Sequence, residues 1–280
     1  MRPTFIGRAA VVAALIAAPS AAAQTVHTLS PSAYQARPEQ TIELRLLAGE
    51  AKAAAAQAWR AADVAWFFVR DGAEQRNVER IQPAGNGQTL AVTVKRPGVT
   101  IIGLDRRASV EHVRAAELDA FLKAHAVSPT PGGSARRAKA DAPLRVKRVE
   151  SARTMVRVSD GAMEGSGGSA VATSKTGQAV EIRPLFDPTL LAAGSDLPVR
   201  VYAGGRAREG VTVRATHIGT GGSHDAVTDR EGITALPIDR TGVWRVEFHA
   251  SDGAGADDAA DLVLYSGTMT FEVTREGGAE

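Results

Sequence analysis

Apolar and polar residues alternate with a period of two in several short runs between residues 181 and 249. Turn residues separate the runs, such as Gly204-Gly205 and the segment from Thr228 to Gly232. This pattern is typical of antiparallel strands that have one apolar face and one wet face. In the clearest run, the residues expected on the apolar face are Trp244, Val246 and Phe248, and those expected on the wet face are Arg245, Glu247 and His249.

The first half of the chain shows the same alternation, and an Asp71-Gly72 pair supplies a hairpin turn. The runs that predict strands are 42–46, 64–69, 90–94 and 99–104. We therefore predict an all-β protein made of two Ig-like or prealbumin-like antiparallel β-sandwich domains. One short helix should close the first domain.

That helix is predicted over Ala115 to His125, because Leu118, Phe121 and Leu122 recur there at helical spacing. The Ala-rich segment 48–62 is compatible either with a helical insertion or with a loop between strands. The Gly- and Ser-rich stretch from 161 to 177 predicts a flexible loop.

Composition shifts suggest where the domains begin and end. Pro, Gly and Ser are concentrated between 128 and 142, which is typical of a linker. Seven basic residues follow between Arg136 and Arg153, and they form either a docking patch for an anionic partner or a solvated linker and strand face. The predicted division is 24–127 for the first sandwich, 128–177 for a linker with a strand near 144–158, 178–275 for the second sandwich and 276–280 for a frayed tail.

The N-terminus predicts export. Arg2 and Arg8 are followed by an apolar run of ten residues from Ala9 to Ala18, and Ala21-Ala22-Ala23 forms a small-residue cleavage site. Residues 1–23 therefore read as a signal peptide, and the mature protein should be soluble and periplasmic or secreted. No other stretch is long and apolar enough to cross a membrane.

The net charge and the cysteine content exclude some classes of partner and of covalent attachment. Removing Arg2 and Arg8 lowers the 33 basic residues to 31, which equals the 31 acidic residues. A neutral mature chain argues against nucleic-acid binding, which needs a surplus of cations. The chain has no cysteine, so neither a disulfide nor a cysteine-linked lipid anchor can form.

Catalytic motifs are absent from the sequence. It contains no His-Glu-x-x-His, no Gly-x-Ser-x-Gly and no phosphate-binding Gly-Lys-Ser/Thr loop. We therefore predict a protein that is not an enzyme, and we assign no catalytic residue.

The histidines are the candidate metal ligands, because neutral imidazole suits Ni²⁺, Co²⁺, Cu²⁺ and Zn²⁺. His27 lies near the expected mature N-terminus, and His217 is expected at the inward end of a strand. His249 is expected on a wet face beside Glu247, where an ordinary surface histidine is the alternative to a ligand. The two histidines expected simply at the surface are His112 and His125.

Several segments resemble a periplasmic family of domains of unknown function, the 4198 family, which is linked to NikM-like components of nickel and cobalt uptake. The segments that carry this resemblance are Val26 to Pro31, Pro97 to Asp105, Glu117 to Leu122, Ser151 to Val156, Gln178 to Pro188, Thr228 to Gly232, Gly242 to Trp244 and Phe248-His249. They extend over nearly the whole mature chain. The resemblance implies Ig-like modules and a role in metal uptake, with His27 and His249 as the family's histidines.

Together these observations predict a non-catalytic periplasmic protein that binds a transition metal or another solute. His27 would meet His249 or His217 and hold Ni²⁺ or Co²⁺, and the partner would be a membrane metal-transport complex or an envelope protein. The alternative is a structural or interaction module that binds a protein or a glycan.

Overall fold

A computed structural model describes residues 26–128, 143–161, 168–254 and 259–276. The predicted signal peptide, most of the predicted 128–142 linker and the last four residues of the predicted tail lie outside the described residues.

The chain is built mainly of short strands, as its alternation predicts. The strands of the first half are β1 (His27–Pro31), β2 (Gln35–Ala36), β3 (Gln40–Ala48), β4 (Ala55–Gln57), β5 (Val64–Asp71), β6 (Glu74–Asn77), β7 (Pro83–Ala84), β8 (Thr89–Val94), β9 (Gly98–Arg106) and β10 (Ser109–Val113). Those of the second half are β11 (Leu144–Val158), β12 (Val180–Pro184), β13 (Ser195–Ala203), β14 (Arg206–Ala207), β15 (Thr212–His217), β16 (Ser223–Val227), β17 (Ile233–Ile238), β18 (Gly242–Gly253) and β19 (Leu262–Val273). Among the described residues, the helices are α1 (Ala115–Ala124), α2 (Gly168–Ala172) and two 3₁₀-helices, Ala61–Asp63 and Pro188–Leu190.

The strands form three sheets. A 10-stranded central sheet has the order β16-β15-β18-β19-β11-β9-β5-β6, and β10 and β2 pair with its strand β11. A 5-stranded N-terminal sheet has the order β1-β3-β8-β7, with β4 on β3, and a 4-stranded C-terminal sheet has the order β12-β13-β14, with β17 on β13. Nearly all neighbours are antiparallel, although β11 and β19 run parallel. The predicted all-β sandwich class is confirmed.

The central sheet is covered on both faces. Phe67 and Val156 pack with the N-terminal sheet, whereas their chain neighbours Phe68 and Met155 pack with the C-terminal sheet. Successive residues of a strand point to opposite faces, so each central strand contributes to two cores. This explains why its strands β5 and β9 read as nearly continuous apolar runs.

Strand β11 lies at the middle of the central sheet, within the segment predicted as a linker. It pairs with β9 from the first predicted domain and with β19 from the second. Strands of both predicted domains therefore share one sheet. Whether 24–127 and 178–275 fold as separate domains stays a prediction.

Helix α1 ends at the residue before His125. Its buried residues Leu118, Phe121 and Leu122 pack on the first residues of β11 and β19. No helix among the described residues is long and apolar enough to cross a bilayer.

One segment differs from the expectation, and another decides between two alternatives. The predicted flexible loop 161–177 contains α2, whose Val171 and Ala172 are buried in the core under the C-terminal sheet. The Ala-rich segment 48–62 contains β4 and part of a 3₁₀-helix and has no α-helix, so its loop interpretation is the correct one. Helix propensity alone did not decide it because short segments depend on tertiary packing.

Candidate metal centre

The polar face of β18 is buried rather than wet. Arg245, Glu247 and His249 are exposed by only 1%, 2% and 3%. Strand β1 crosses this side of the central sheet, where the hydroxyls of Thr268 and Thr270 donate hydrogen bonds to backbone carbonyls of β1 at 2.7 and 2.8 Å. The expectation that His249 lies on a wet face is therefore wrong.

Two histidines and one glutamate converge on this buried face. Possible ligand atoms of His125, Glu247 and His249 all lie within 4.8 Å of one another, and all three residues are buried. The ring centroids of His125 and His249 are 4.3 Å apart. Phe121 of α1 packs against both rings, at centroid distances of 4.4 and 5.2 Å. Helix α1 thus covers the cluster, and His125, the residue that follows it, is one of the three candidate ligands.

The hydrogen bonds of His249 leave one nitrogen available. Its Nδ1 lies 2.9 Å from the Oγ of Ser266, whereas its buried Nε2 has no hydrogen-bond partner among the described residues. A buried polar atom without a partner is costly and calls for an explanation. An ion bound to Nε2 would remove that cost.

Burial favours the neutral form of both imidazoles. It lowers the pKa of His249 well below the usual value, and the charges of His125, Arg245 and Arg148 add to the effect. Burial is also the largest cause of the lowered pKa of His125. A neutral imidazole is the form that binds a metal ion.

The Glu247 carboxylate is close to Arg245 but is not hydrogen-bonded to it. Arg245 Nη2 lies 2.6 Å from Glu247 Oε2, yet neither Glu247 oxygen makes a well-oriented hydrogen bond within the described part of the chain. Burial raises the pKa of Glu247, and the charge of Arg245 only partly opposes this. Because no directional hydrogen bond holds the Glu247 oxygens, they can also act as ligands to another cation.

The donor set fits a first-row divalent ion. Two imidazoles and a carboxylate are ligands used for zinc, nickel and cobalt. Metal–nitrogen distances are about 2.0–2.1 Å, so small side-chain rotations would have to draw the three groups together. A second acidic group is near, because Glu50 Oε1 lies 3.8 Å from His125 Nε2. The nearby guanidinium of Arg245 opposes cation binding and would favour a moderate affinity.

The structure places His27 outside this cluster. His27 Nδ1 lies 2.9 Å from Glu150 Oε2 and 3.1 Å from Arg106 Nη1. Although burial opposes it, the hydrogen bond and charge of His27 help to lower the pKa of Glu150. His27 thus belongs to a separate ion-pair network on the same side of the central sheet.

His217 lies on the other face of the sheet. It pairs opposite Trp244, and their ring centroids are 5.3 Å apart. Its Nδ1 is 3.0 Å from Thr220 Oγ1 and its Nε2 is 3.0 Å from the Thr241 carbonyl oxygen. Both ring nitrogens therefore have partners within the protein. Of the three histidines predicted as ligands, the structure brings only His249 into the cluster.

Sequence reasoning missed His125 as a candidate ligand and placed it at the surface, whereas it is 9% exposed. A usable signal was present. His125 follows Phe121 by four residues and Leu122 by three, so it continues the buried stripe of α1. Glu247 likewise lies two residues from His249 on the same strand face.

Comparison with known proteins identifies the family to which the sequence is similar. The model of a family described as a domain of unknown function (DUF4198) matches residues 21–252. No curated protein matches the chain.

Solved structures are only distantly similar. Murine CEACAM1b is 7% identical, with 90% of this chain and 100% of that chain covered and a TM-score of 0.20. The two tandem V-type regions of VCBP3, a v-region-containing chitin binding protein, are 10% identical, with 87% and 99% covered and a TM-score of 0.23. Escherichia coli alpha-2-macroglobulin is 12% identical, with 92% of this chain but 22% of that chain covered and a TM-score of 0.21. Likenesses this weak carry no information about function.

Proposed function

The chain belongs to the DUF4198 family, and we propose that it is a non-catalytic protein that binds one divalent transition-metal ion through His125, Glu247 and His249. The observation that carries the proposal is the buried Nε2 of His249, which has no partner among the described residues and adjoins a second imidazole and a carboxylate.

The physical chemistry of the cluster supports binding rather than catalysis. Burial favours neutral imidazoles, which need not lose a proton before they bind a metal. All three residues of the cluster are buried, which limits the direct access of a substrate to the ion. A catalytic metal needs an open coordination position that a substrate can reach.

We propose nickel or cobalt as the ion and a location outside the cytoplasm. Nitrogen and oxygen donors accept both ions, although they also accept zinc and copper. The preference for nickel or cobalt comes from the resemblance to uptake-associated proteins. The signal-like N-terminus supports export, and a membrane metal-transport complex is the partner that such a role requires.

Calorimetric titration tests the proposal. Metal-free protein should bind one equivalent of Ni²⁺ or Co²⁺, and His125→Ala, Glu247→Gln and His249→Ala should each weaken binding at least about tenfold. His112→Ala is the matched control, because His112 is exposed on β10. His27→Ala tests the ligand expected from the sequence, and its binding should equal that of the wild type.

Unchanged titration curves for all three cluster variants would overturn the proposal. Weakened binding in His27→Ala alone would move the site to the His27 network.

The alternative is an interaction module, and a large exposed apolar patch would support it. Among the described residues, the exposed large apolar side chains are Val110, Leu185, Phe186 and Val227. Only Leu185 and Phe186 adjoin in sequence, and two side chains make a smaller patch than protein interfaces use. The buried cluster therefore favours metal binding.

A further inference from the structure

A separate cavity of about 150 Å³ lies beside the metal cluster, between the N-terminal sheet and the central sheet. One wall comes from Leu47 at the end of β3 and from Ala51 and Ala54 in the following loop. The facing wall includes Ile218, which follows β15, and Val243, near the start of β18. These walls are apolar, so they suit a hydrocarbon group.

One end of the cavity is polar and charged. Arg245 lines it, although only 1% of this residue is exposed. Its Nη1 donates a hydrogen bond of 2.9 Å to the Gly49 carbonyl, and its Nη2 lies 2.6 Å from Glu247 Oε2. Its Nε is buried and has no acceptor among the described residues. A buried guanidinium N–H without an acceptor is costly, because it loses its water without a replacement.

A second unused polar atom lines the same cavity. The hydroxyl of Thr28 is buried and has no hydrogen-bond partner within the described residues. By contrast, the nearby Tyr34 hydroxyl is hydrogen-bonded to Thr270, Ser30 and Thr154. Two residues of the lining, Arg245 and Thr28, thus each carry a polar atom without a partner among the described residues, beside apolar walls.

We propose that this cavity binds a small aliphatic monocarboxylate. Its carboxylate would accept hydrogen bonds from Arg245 Nε and Thr28 Oγ1, and its hydrocarbon chain would lie against Leu47, Ala51 and Ala54. A cavity of this volume holds a molecule about the size of benzene, so the acid has about six non-hydrogen atoms. The apolar walls disfavour strongly hydrated inorganic anions such as phosphate.

The negative charge of the proposed ligand allows its binding to be distinguished from that of an uncharged molecule of the same size. A charge-assisted hydrogen bond from a guanidinium is about twice as strong as a neutral one. Butyrate and butyramide have the same size, but only butyrate carries the negative charge. Binding that prefers butyrate would therefore report on Arg245, whereas equal binding would report on the apolar walls alone.

The experiment is a calorimetric titration of the metal-free full chain, in the presence of a chelator, with butyrate, butyramide and phosphate. Butyrate should bind about tenfold or more tightly than butyramide, and phosphate should not compete. Ala54→Leu should weaken butyrate binding about tenfold because the added side chain occupies the cavity. Ala53→Leu is the matched control, since Ala53 is the exposed neighbour in the same loop.

Arg245→Lys retains the cation but loses the Nε donor, so it should weaken butyrate binding more than butyramide binding. Ala54→Leu keeps the test valid if Arg245→Lys does not fold. Absence of butyrate binding, equal binding of butyramide, or unchanged binding in Ala54→Leu would each overturn the proposal. Because the chelator removes metal ions, the result does not depend on whether the metal cluster binds nickel or cobalt.

Discussion

His217 and His249 belong to neighbouring strands of one sheet, yet their side chains occupy opposite faces of it. In the register of β15 and β18, His217 lies opposite Trp244 and Val213 lies opposite Phe248. Trp244 and Phe248 pack into the core under the C-terminal sheet, whereas His249 contacts Phe121 of α1 on the other side. A single ion cannot bind both imidazoles because the backbone of the sheet separates them.

This separation predicts different results for the two histidines. His217→Ala should lower the free energy of unfolding by about 1–3 kcal/mol, because it removes the partly buried hydrogen bond to the Thr241 carbonyl oxygen. Its metal affinity should equal that of the wild type. Urea denaturation and calorimetric titration of the same protein sample would check both statements, and a loss of metal binding in His217→Ala would contradict the two-face arrangement.

Arg153 and Glu181 form an ion pair in the interior that should be sensitive to the loss of one partner. Their atoms are 3.4 Å apart, and their side chains are 1% and 0% exposed. Glu181→Gln should cost about 3–5 kcal/mol of unfolding free energy, because it leaves the Arg153 charge buried and unpaired. The double variant Arg153→Met, Glu181→Gln should be more stable than Glu181→Gln. Chemical denaturation measures both, and a double variant less stable than the single one would refute this account.

Gly103 should not tolerate a side chain. A Cβ atom at this position would lie 2.2 Å from the Phe68 ring, which packs opposite Gly103 across β5 and β9. Gly103→Ala should destabilise the fold by about 1–3 kcal/mol through overpacking. Phe68→Leu creates space, so the double variant should be destabilised by less than the sum of the single changes. Strictly additive unfolding energies would show that the two residues do not crowd each other.

Tyr34 should make stability depend on pH under alkaline conditions. Burial raises its pKa from 10.0 to about 12, although hydrogen bonds to Thr270, Ser30 and Thr154 oppose the shift. The unfolded chain ionises this residue above pH 10.0, whereas the folded chain holds the proton until about 12. The stabilisation that comes from protonated Tyr34 is therefore complete below pH 10.0. It is lost as the pH rises through the folded-state pKa, and the loss in unfolding free energy is about 3 kcal/mol.

Tyr34→Phe removes the titrating group and serves as the control. The wild type should lose stability more steeply than this variant above pH 10.0. Parallel urea denaturation series at increasing pH give the comparison. Identical slopes for the two proteins would place the Tyr34 hydroxyl in water rather than in the interior.

Alternation of apolar and polar residues was sufficient to predict most of the longer strands and the all-β sandwich class. It also assigned Trp244, Val246 and Phe248 to one core. The reason is local, because the side-chain period of an extended backbone follows from its geometry. Helix α1 was equally predictable, since the spacing of Leu118, Phe121 and Leu122 depends only on the helical repeat.

The sequence alone could not determine what covers the polar face of β18. Arg245, Glu247 and His249 show the same alternation whether water or another part of the protein lies above them. Only the tertiary structure placed β1 and α1 over that face, and so brought His125 to within 4.3 Å of His249 between ring centroids. Contacts between such distant segments depend on how sheets and helix pack, and side-chain periodicity carries no information about that packing.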